Sequence, residues 1–241
     1  IRALSDRKLL VTYEKEVGRL NDNILPHPEH IKPLNEAQTE AYNQILIQMM
    51  GHPVTLLHGV TSSGKTEIYI HLIQKAIDEH KQVLYLLPEI ALTVQITERL
   101  KAIFGNRLGI YHSKYSDAER VEIWQKQLSA QPYDVILGAR SAVFLPFQRL
   151  GLVIIDEEHE QSFKQQDPAP RYHARSAAIV LAQMYAGAKT LLGTATPSME
   201  TYYNAQQGKY GLVELTRRYK DIHLPAIEVV DVKDLYRRKM M

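Results

Sequence analysis

The 241 residues contain no cysteine. Within this stretch that excludes a disulfide scaffold, a Cys-ligated zinc site and a thiol nucleophile, and it fits a cytoplasmic protein. No apolar run approaches the roughly 18 residues that a membrane span needs. The opening IRALSDRKLL has no signal-peptide layout, so no membrane partner is expected. An excess of one charge is missing too. The formal net charge is +2, which carries no global indication of nucleic acid, so any such reading must rest on local features. Repeats and low-complexity tracts are absent. Hydrophobic residues make up 45% and charged residues 23%, the profile of a globular protein. The length fits one large domain or one domain plus a fragment. The chain opens on Ile1 rather than Met, and it is expected to be a piece of a longer protein.

Residues 1–20 read as a small unit with a loose strand pair, Leu9–Glu14 and Glu16–Leu20. Residues 21–33, with three prolines, read as a linker. Asn35 is a plausible N-cap for a helix over Glu36–Met50, which Gly51-His52-Pro53 ends. Short apolar runs then recur at Val54–Leu57, Val83–Leu87, Leu108–Tyr111, Val135–Leu137, Leu152–Ile155 and Thr190–Leu192. Between them lie helical patterns at Lys65–Glu79, Glu89–Phe104, Asp117–Ala130 and Ala174–Ala186. This alternation predicts an α/β fold, a mostly parallel sheet covered by helices on both faces. Leu212–Leu215 and Ile227–Val232 are further strand candidates.

Two motifs carry chemistry. Gly59-Val60-Thr61-Ser62-Ser63-Gly64-Lys65-Thr66 matches G-x-x-x-x-G-K-[ST] between a strand and a helix. Such a loop turns its backbone N–H groups onto phosphate oxygens, and the following helix adds the positive end of its dipole. Lys65 then places a cation on the β/γ-phosphates and the Thr66 hydroxyl ligates Mg²⁺. The second motif is Asp156-Glu157-Glu158-His159, at the end of the apolar run 152–155. Asp156 suits a metal held through water, and Glu157 suits taking a proton from, or orienting, an attacking water. Glu158 is expected to face outward. Both motifs fall at C-terminal strand ends, the ligand-binding edge of α/β sheets.

The acidic box resembles the DExH box of superfamily 2 helicases. Gly193-Thr194-Ala195-Thr196-Pro197-Ser198 is similar to their third motif, and Gln38 resembles their adenine-reading glutamine. Four further stretches narrow the resemblance: Thr66-Glu67 closing the phosphate loop, residues 87–93 (LPEIALT), residues 138–142 (GARSA), and residues 162–166 with 171–175 (SFKQQ and RYHAR). Together they resemble the replication-restart, or primosomal, helicases of that superfamily over about residues 34–215. The resemblance implies a RecA-like P-loop lobe at 34–216, with 1–20 as the end of a winged-helix domain and 217–241 leading toward a second lobe. It implies a 3′→5′ DNA helicase that uses ATP and Mg²⁺ and acts on single-stranded and forked DNA. Other primosome proteins and single-stranded DNA-binding protein would be its partners.

Carried over by residue, Lys65, Asp156 and Glu157 would be catalytic, and residues Gly59 to Glu67 with Gln38 would bind nucleotide. Thr66 and Asp156 would hold the metal. His159, Gly193, Thr194 and Thr196 would couple ATP state to DNA. Pro88, Arg140, Ser141, Phe163, Lys164, Arg171, Tyr172, His173 and Arg175 would contact DNA. The last group also has a physical case, since flat rings stack on bases and cations meet phosphates. The bland alternative is a surface loop whose aromatics tuck into the core. The arginine-finger pattern Q-x-x-G-R-x-G-R is absent from the sequence, as are the cysteines of a zinc insertion that the resemblance places only in a second lobe. A lobe of this kind alone is therefore expected to be nearly inactive in hydrolysis and unwinding. Another superfamily 2 motor, a P-loop ATPase that never touches nucleic acid, and a non-enzymatic DNA-binding module remain alternatives.

Overall fold

The computed structural model describes residues 24–89, 91, 94–112 and 115–217. The strand pair expected before residue 21, the strand at 227–232 and most of the connection after 217 lie outside the described residues.

Seven strands form one sheet in which every neighbouring pair is parallel. They are β1 (Val54–Gly59), β2 (Gln82–Leu86), β3 (Leu108–Tyr111), β4 (Val135–Gly138), β5 (Leu150–Asp156), β6 (Lys189–Thr194) and β7 (Gly211–Leu215), in the spatial order β3-β4-β2-β5-β6-β1-β7. Parallel neighbours need a crossover at each return, and helices supply most of them. These are α1 (Glu36–Gly51), α2 (Lys65–Asp78), α3 (Val94–Phe104), α4 (Asp117–Leu128), α5 (Ala174–Gln183) and α6 (Met199–Gln206).

The interior strands are largely apolar because both faces are covered. Side chains alternate across a strand, so Val83 and Tyr85 of β2 enter one core while Leu84 and Leu86 enter the other. In β5, Leu152 and Ile154 face the first core, and Val153 and Ile155 the second. The first core is closed by α1, α2 and α3. In α2, Ile68, Tyr69, Leu72, Ile73, Ala76 and Ile77 recur at helical spacing and are all buried. The second core takes Ala174, Ala178 and Ala182 of α5, small residues that let that helix lie close to the sheet.

Asn35 caps α1 as expected: its side chain accepts from Gln38 N at 2.9 Å, and Asn35 N donates to Gln38 Oε1 at 3.0 Å. Such a reciprocal cap is worth about 1 kcal/mol. Two readings need correction. The helix expected from Glu89 begins at Val94, and before it Ala91 N donates to Pro88 O at 2.9 Å. Helix α6 was not foreseen, because only Thr201 and Ala205 of its eight residues are buried and no apolar stripe marks it.

Gln82 is fully buried on the interior strand β2. Its Nε2 donates to Gln127 Oε1 at 2.9 Å and to Tyr133 O at 2.8 Å, while its Oε1 accepts from Gln148 N at 2.8 Å and Arg149 N at 3.1 Å. One amide thus ties α4, the entry to β4 and the entry to β5 to β2. Gln82→Leu keeps the volume but strands these partners. It is expected to lower unfolding free energy by about 2–4 kcal/mol, measured by urea denaturation.

Candidate nucleotide and nucleic-acid site

The strand order places the two chemical motifs. β6 lies between β1 and β5, and β5 pairs with it so that Asp156 sits opposite Gly193. The phosphate loop after β1, the Gly193–Ser198 turn after β6 and the acidic box after β5 are therefore consecutive at one edge.

The loop is tight. Ser62 and Gly64 have positive φ, +63° and +82°. Gly64 is required twice over, because a Cβ there would also overlap Gln38 Nε2. Lys65 is buried, and its Nζ donates to Gly59 O at 2.9 Å. Val60 N donates to Leu215 O at 3.1 Å, fastening the loop to β7. Gln38 stands behind the loop. It is 1% exposed, and its Nε2 reaches Ser63 O at 3.3 Å and Gly64 O at 3.4 Å. With Oε1 in the α1 cap, this amide ties the loop to the start of α1. The Glu67 carboxylate turns away toward Arg99 on α3 and forms an ion pair with it.

Asp156 Oδ1 accepts from Tyr69 Oη at 3.0 Å and from Glu157 N at 3.1 Å. Burial, then the negative charge of Glu157, pushes its carboxyl up to about 6, while Lys65 and these hydrogen bonds pull the other way. Burial raises Tyr69 well above the usual phenol range, so its hydroxyl stays a donor. Glu157 has φ +50°, an uncommon conformation for a glutamate, and this bend takes the chain from strand to loop. Its Oε2 lies 3.7 Å from His159 Nδ1. The His159 ring joins two threonines: Nδ1 is 2.8 Å from Thr194 Oγ1 and Nε2 is 3.4 Å from Thr196 Oγ1. The box and the turn after β6 are thus in direct contact.

Glu158 corrects an expectation. It is fully buried rather than outward-facing. Arg175 Nη1 donates to its Oε2 at 2.5 Å, Thr201 Oγ1 to Oε2 at 2.9 Å and Ser198 N to Oε1 at 2.7 Å. Arg175 is corrected with it. Its guanidinium, expected on DNA phosphate, is an internal partner that also bonds Ser198 Oγ at 2.8 Å and Glu200 Oε2 at 2.9 Å. Local sequence could not reveal this pairing across 17 residues.

The segment 161–173 divides in two. Phe163 is 1% exposed in the second core, so its ring is unavailable for stacking, which is a further correction. Lys164 and His173 form an antiparallel bridge, and Gln165 N donates to Tyr172 O at 2.9 Å, so Arg171 and residues 166–170 project as an exposed tip. His173 is half-buried, and burial, then Arg175 and Lys164, lowers its pKa. Arg140 spans to this segment, its Nη1 lying 3.4 Å from Ser162 O and 3.5 Å from Lys164 O. Ser141 is half-buried in the same turn, and Pro88 is buried at the end of β2. The sequence reading missed Phe144. Its ring is 54% exposed and packs edge-on against Tyr172 with centroids 4.8 Å apart. Its position after Arg140-Ser141 was the available signal.

The donor set fits a nucleotide with Mg²⁺. Thr66 and Asp156 offer oxygen, and Lys65 and the loop amides offer positive charge. Among the described residues no helix is long and apolar enough to cross a membrane.

Residues 35–205 match the family model of the DEAD/DEAH box helicases. The chain is 40% identical over 238 residues to replication restart protein PriA of Bacillus subtilis, covering 97% of the chain and 29% of that protein. It is 43% identical over 216 residues to the same protein of Haemophilus influenzae, covering 90% and 29%. The chain thus spans less than a third of these relatives. Among solved structures it resembles RecG bound to a three-way DNA junction, with TM-score 0.56 and 22% identity over 86% of this chain and 27% of that one. It also resembles the Mycobacterium smegmatis helicase Lhr bound to single-stranded DNA and AMP-PNP, with TM-score 0.51 and 21% identity over 80% and 26%. At these identities the structural likeness speaks to the fold alone, an α/β lobe built on a parallel sheet.

Asp156 yields a stability prediction with a definite sign. Its folded pKa is raised from 3.8 to about 6, so its charge opposes folding. The contribution of Asp156 to stability is fully present below about pH 4 and is lost as pH rises through about 6. Asp156→Asn keeps an Oδ1 for Tyr69 and Glu157 N but carries no charge. The variant is expected to be more stable than the parent at pH 7.5 by roughly 1–3 kcal/mol. That gap should close toward pH 4, read by thermal melting across pH. Arg175→Ala should do the opposite and cost about 3–5 kcal/mol by leaving Glu158 buried without its cation.

Proposed function

Because the chain belongs to the DEAD/DEAH box helicases, we propose that it is the ATP-binding motor lobe of a DNA helicase that works in replication restart. The observation that carries this reading is the bond from His159 to Thr194 and Thr196. It joins the acidic box to the turn beside it, where a nucleotide-dependent change can be passed on.

In this reading the Gly59–Thr66 backbone cradles the phosphates, and Lys65 exchanges the Gly59 carbonyl for phosphate oxygens. The Thr66 hydroxyl and the Asp156 carboxylate hold Mg²⁺, which when bound neutralises phosphate charge. Glu157, on its bent backbone, orients water for attack and accepts its proton. Gln38 keeps the loop in register, and its adenine-reading role requires one end of its amide to be released. Arg140, Ser141, Lys164, Arg171, Tyr172 and His173 border the DNA path, with Phe144 added beside Tyr172 and Pro88 at its floor. Single-stranded and forked DNA are the substrates. The motif resemblance supports a 3′→5′ direction and assembly with primosome proteins, and the relatives' name supports the setting in replication restart.

Lys65→Ala is expected to weaken fluorescent-ATP binding at least about tenfold, as loss of a charge-assisted contact requires. Equal affinity in parent and variant would overturn the nucleotide role. Forked-DNA affinity should fall steeply with salt, and Arg171→Ala should reduce the log–log slope by about 1. Phe144→Ala should weaken single-strand binding about 5- to 30-fold with the salt slope unchanged, since it removes a stacking face and no charge. Absence of forked-DNA binding even at low salt would favour a P-loop ATPase that acts without nucleic acid.

A further inference from the structure

Tyr69 lies on α2 one turn beyond Lys65 and is fully buried. Its ring stacks edge-on against Tyr85 with centroids 5.7 Å apart, and its hydroxyl ends on Asp156 Oδ1 at 3.0 Å. Since Glu157 N also donates to Oδ1, that oxygen has two fixed donors and the carboxylate cannot rotate freely. Neither of these donors engages Oδ2.

The route by which the hydroxyl arrives is unusual. It crosses β6 at Gly193, the residue in register with Asp156. A Cβ at 193 would overlap Tyr69 Oη, and it would sit 2.8 Å from Cζ and 3.3 Å from Asp156 Oδ1. Gly193 is not among the positive-φ glycines, so the backbone alone would accept alanine there. The absent side chain serves space, and the space is taken by one hydroxyl.

We propose that Tyr69 is a positioning residue for the metal carboxylate, and that Gly193 is the clearance through which its hydroxyl reaches Asp156. The inference rests on the nucleotide–Mg²⁺ reading of the site. It assigns to Gly193 a role distinct from the expected coupling between ATP and DNA. The Tyr69 hydroxyl touches no proposed nucleotide contact, so its loss should act on the metal alone.

The test is the Mg²⁺ dependence of fluorescent-ADP binding by the whole chain, in the parent, Tyr69→Phe, Gly193→Ala and the double variant, with folding followed by circular dichroism. Tyr69→Phe is expected to raise the half-saturating Mg²⁺ concentration about three- to tenfold, the effect of one lost hydrogen bond to a charged group. Affinity in EDTA should stay within about twofold, because a residue acting only through the metal carboxylate leaves the phosphate contacts in place. Gly193→Ala should raise the Mg²⁺ requirement at least as far, and the double variant should be no worse than Gly193→Ala, since both changes break the same bond. An unchanged Mg²⁺ requirement in Tyr69→Phe, an equal loss of affinity in EDTA, or additive effects in the double variant would each overturn the proposal. A parent whose nucleotide binding ignores Mg²⁺ would overturn the site reading as well, which separates the two failures.

Discussion

Everything at the site depends on one constraint, the parallel alignment of β1, β6 and β5 as hydrogen-bonded neighbours. Parallel strands end at the same edge. Neighbouring strands stand about 4.8 Å apart, so three loops leaving consecutive strands have no choice but to touch. The phosphate loop, the Gly193–Ser198 turn and the acidic box are far apart in the chain. They become a single site because backbone hydrogen bonding sets their order.

A second layer of organisation is the buried carboxylate of Glu158. An ion pair inside a protein contributes little net stability, because desolvation offsets the attraction. Breaking it by removing one partner is costly all the same. This one joins the acidic box, the start of α5 and the start of α6, with Ser198 and Thr201 filling the remaining acceptor positions. It holds Glu157 between a fixed strand end and a fixed helix start. The positive φ of Glu157 and the raised pKa of Asp156 show that the neighbouring residues are held in states they would not adopt freely. The fold supplies the stability, through two apolar cores, and the site draws on it.

The candidate DNA side is built differently. Arg140 and the bridge between Lys164 and His173 fix a frame, and Arg171, Phe144 and the loop tip are well exposed. Aromatic residues in this segment therefore serve two ends. Phe163 anchors it in the core, and Tyr172 links the core to the exposed ring of Phe144. Composition cannot separate an anchor from a contact, because both are rings beside cations.

The strands and most helices were legible in the sequence because their periodicity reports burial, and buried strands in a parallel sheet are apolar on both faces. The phosphate loop was legible because a tight turn around phosphate admits few residue types. Three kinds of fact were not. Strand order was hidden, since any order of buried apolar strands satisfies the same pattern. The partners of Glu158 and Arg175 were hidden, since a charged residue reads as exposed until a partner from another element is seen. The spatial meaning of Gly193 was hidden as well. The residue types and their local spacing are written along the chain, whereas contacts such as Tyr69 to Asp156 exist only once the sheet brings distant segments within one hydrogen bond.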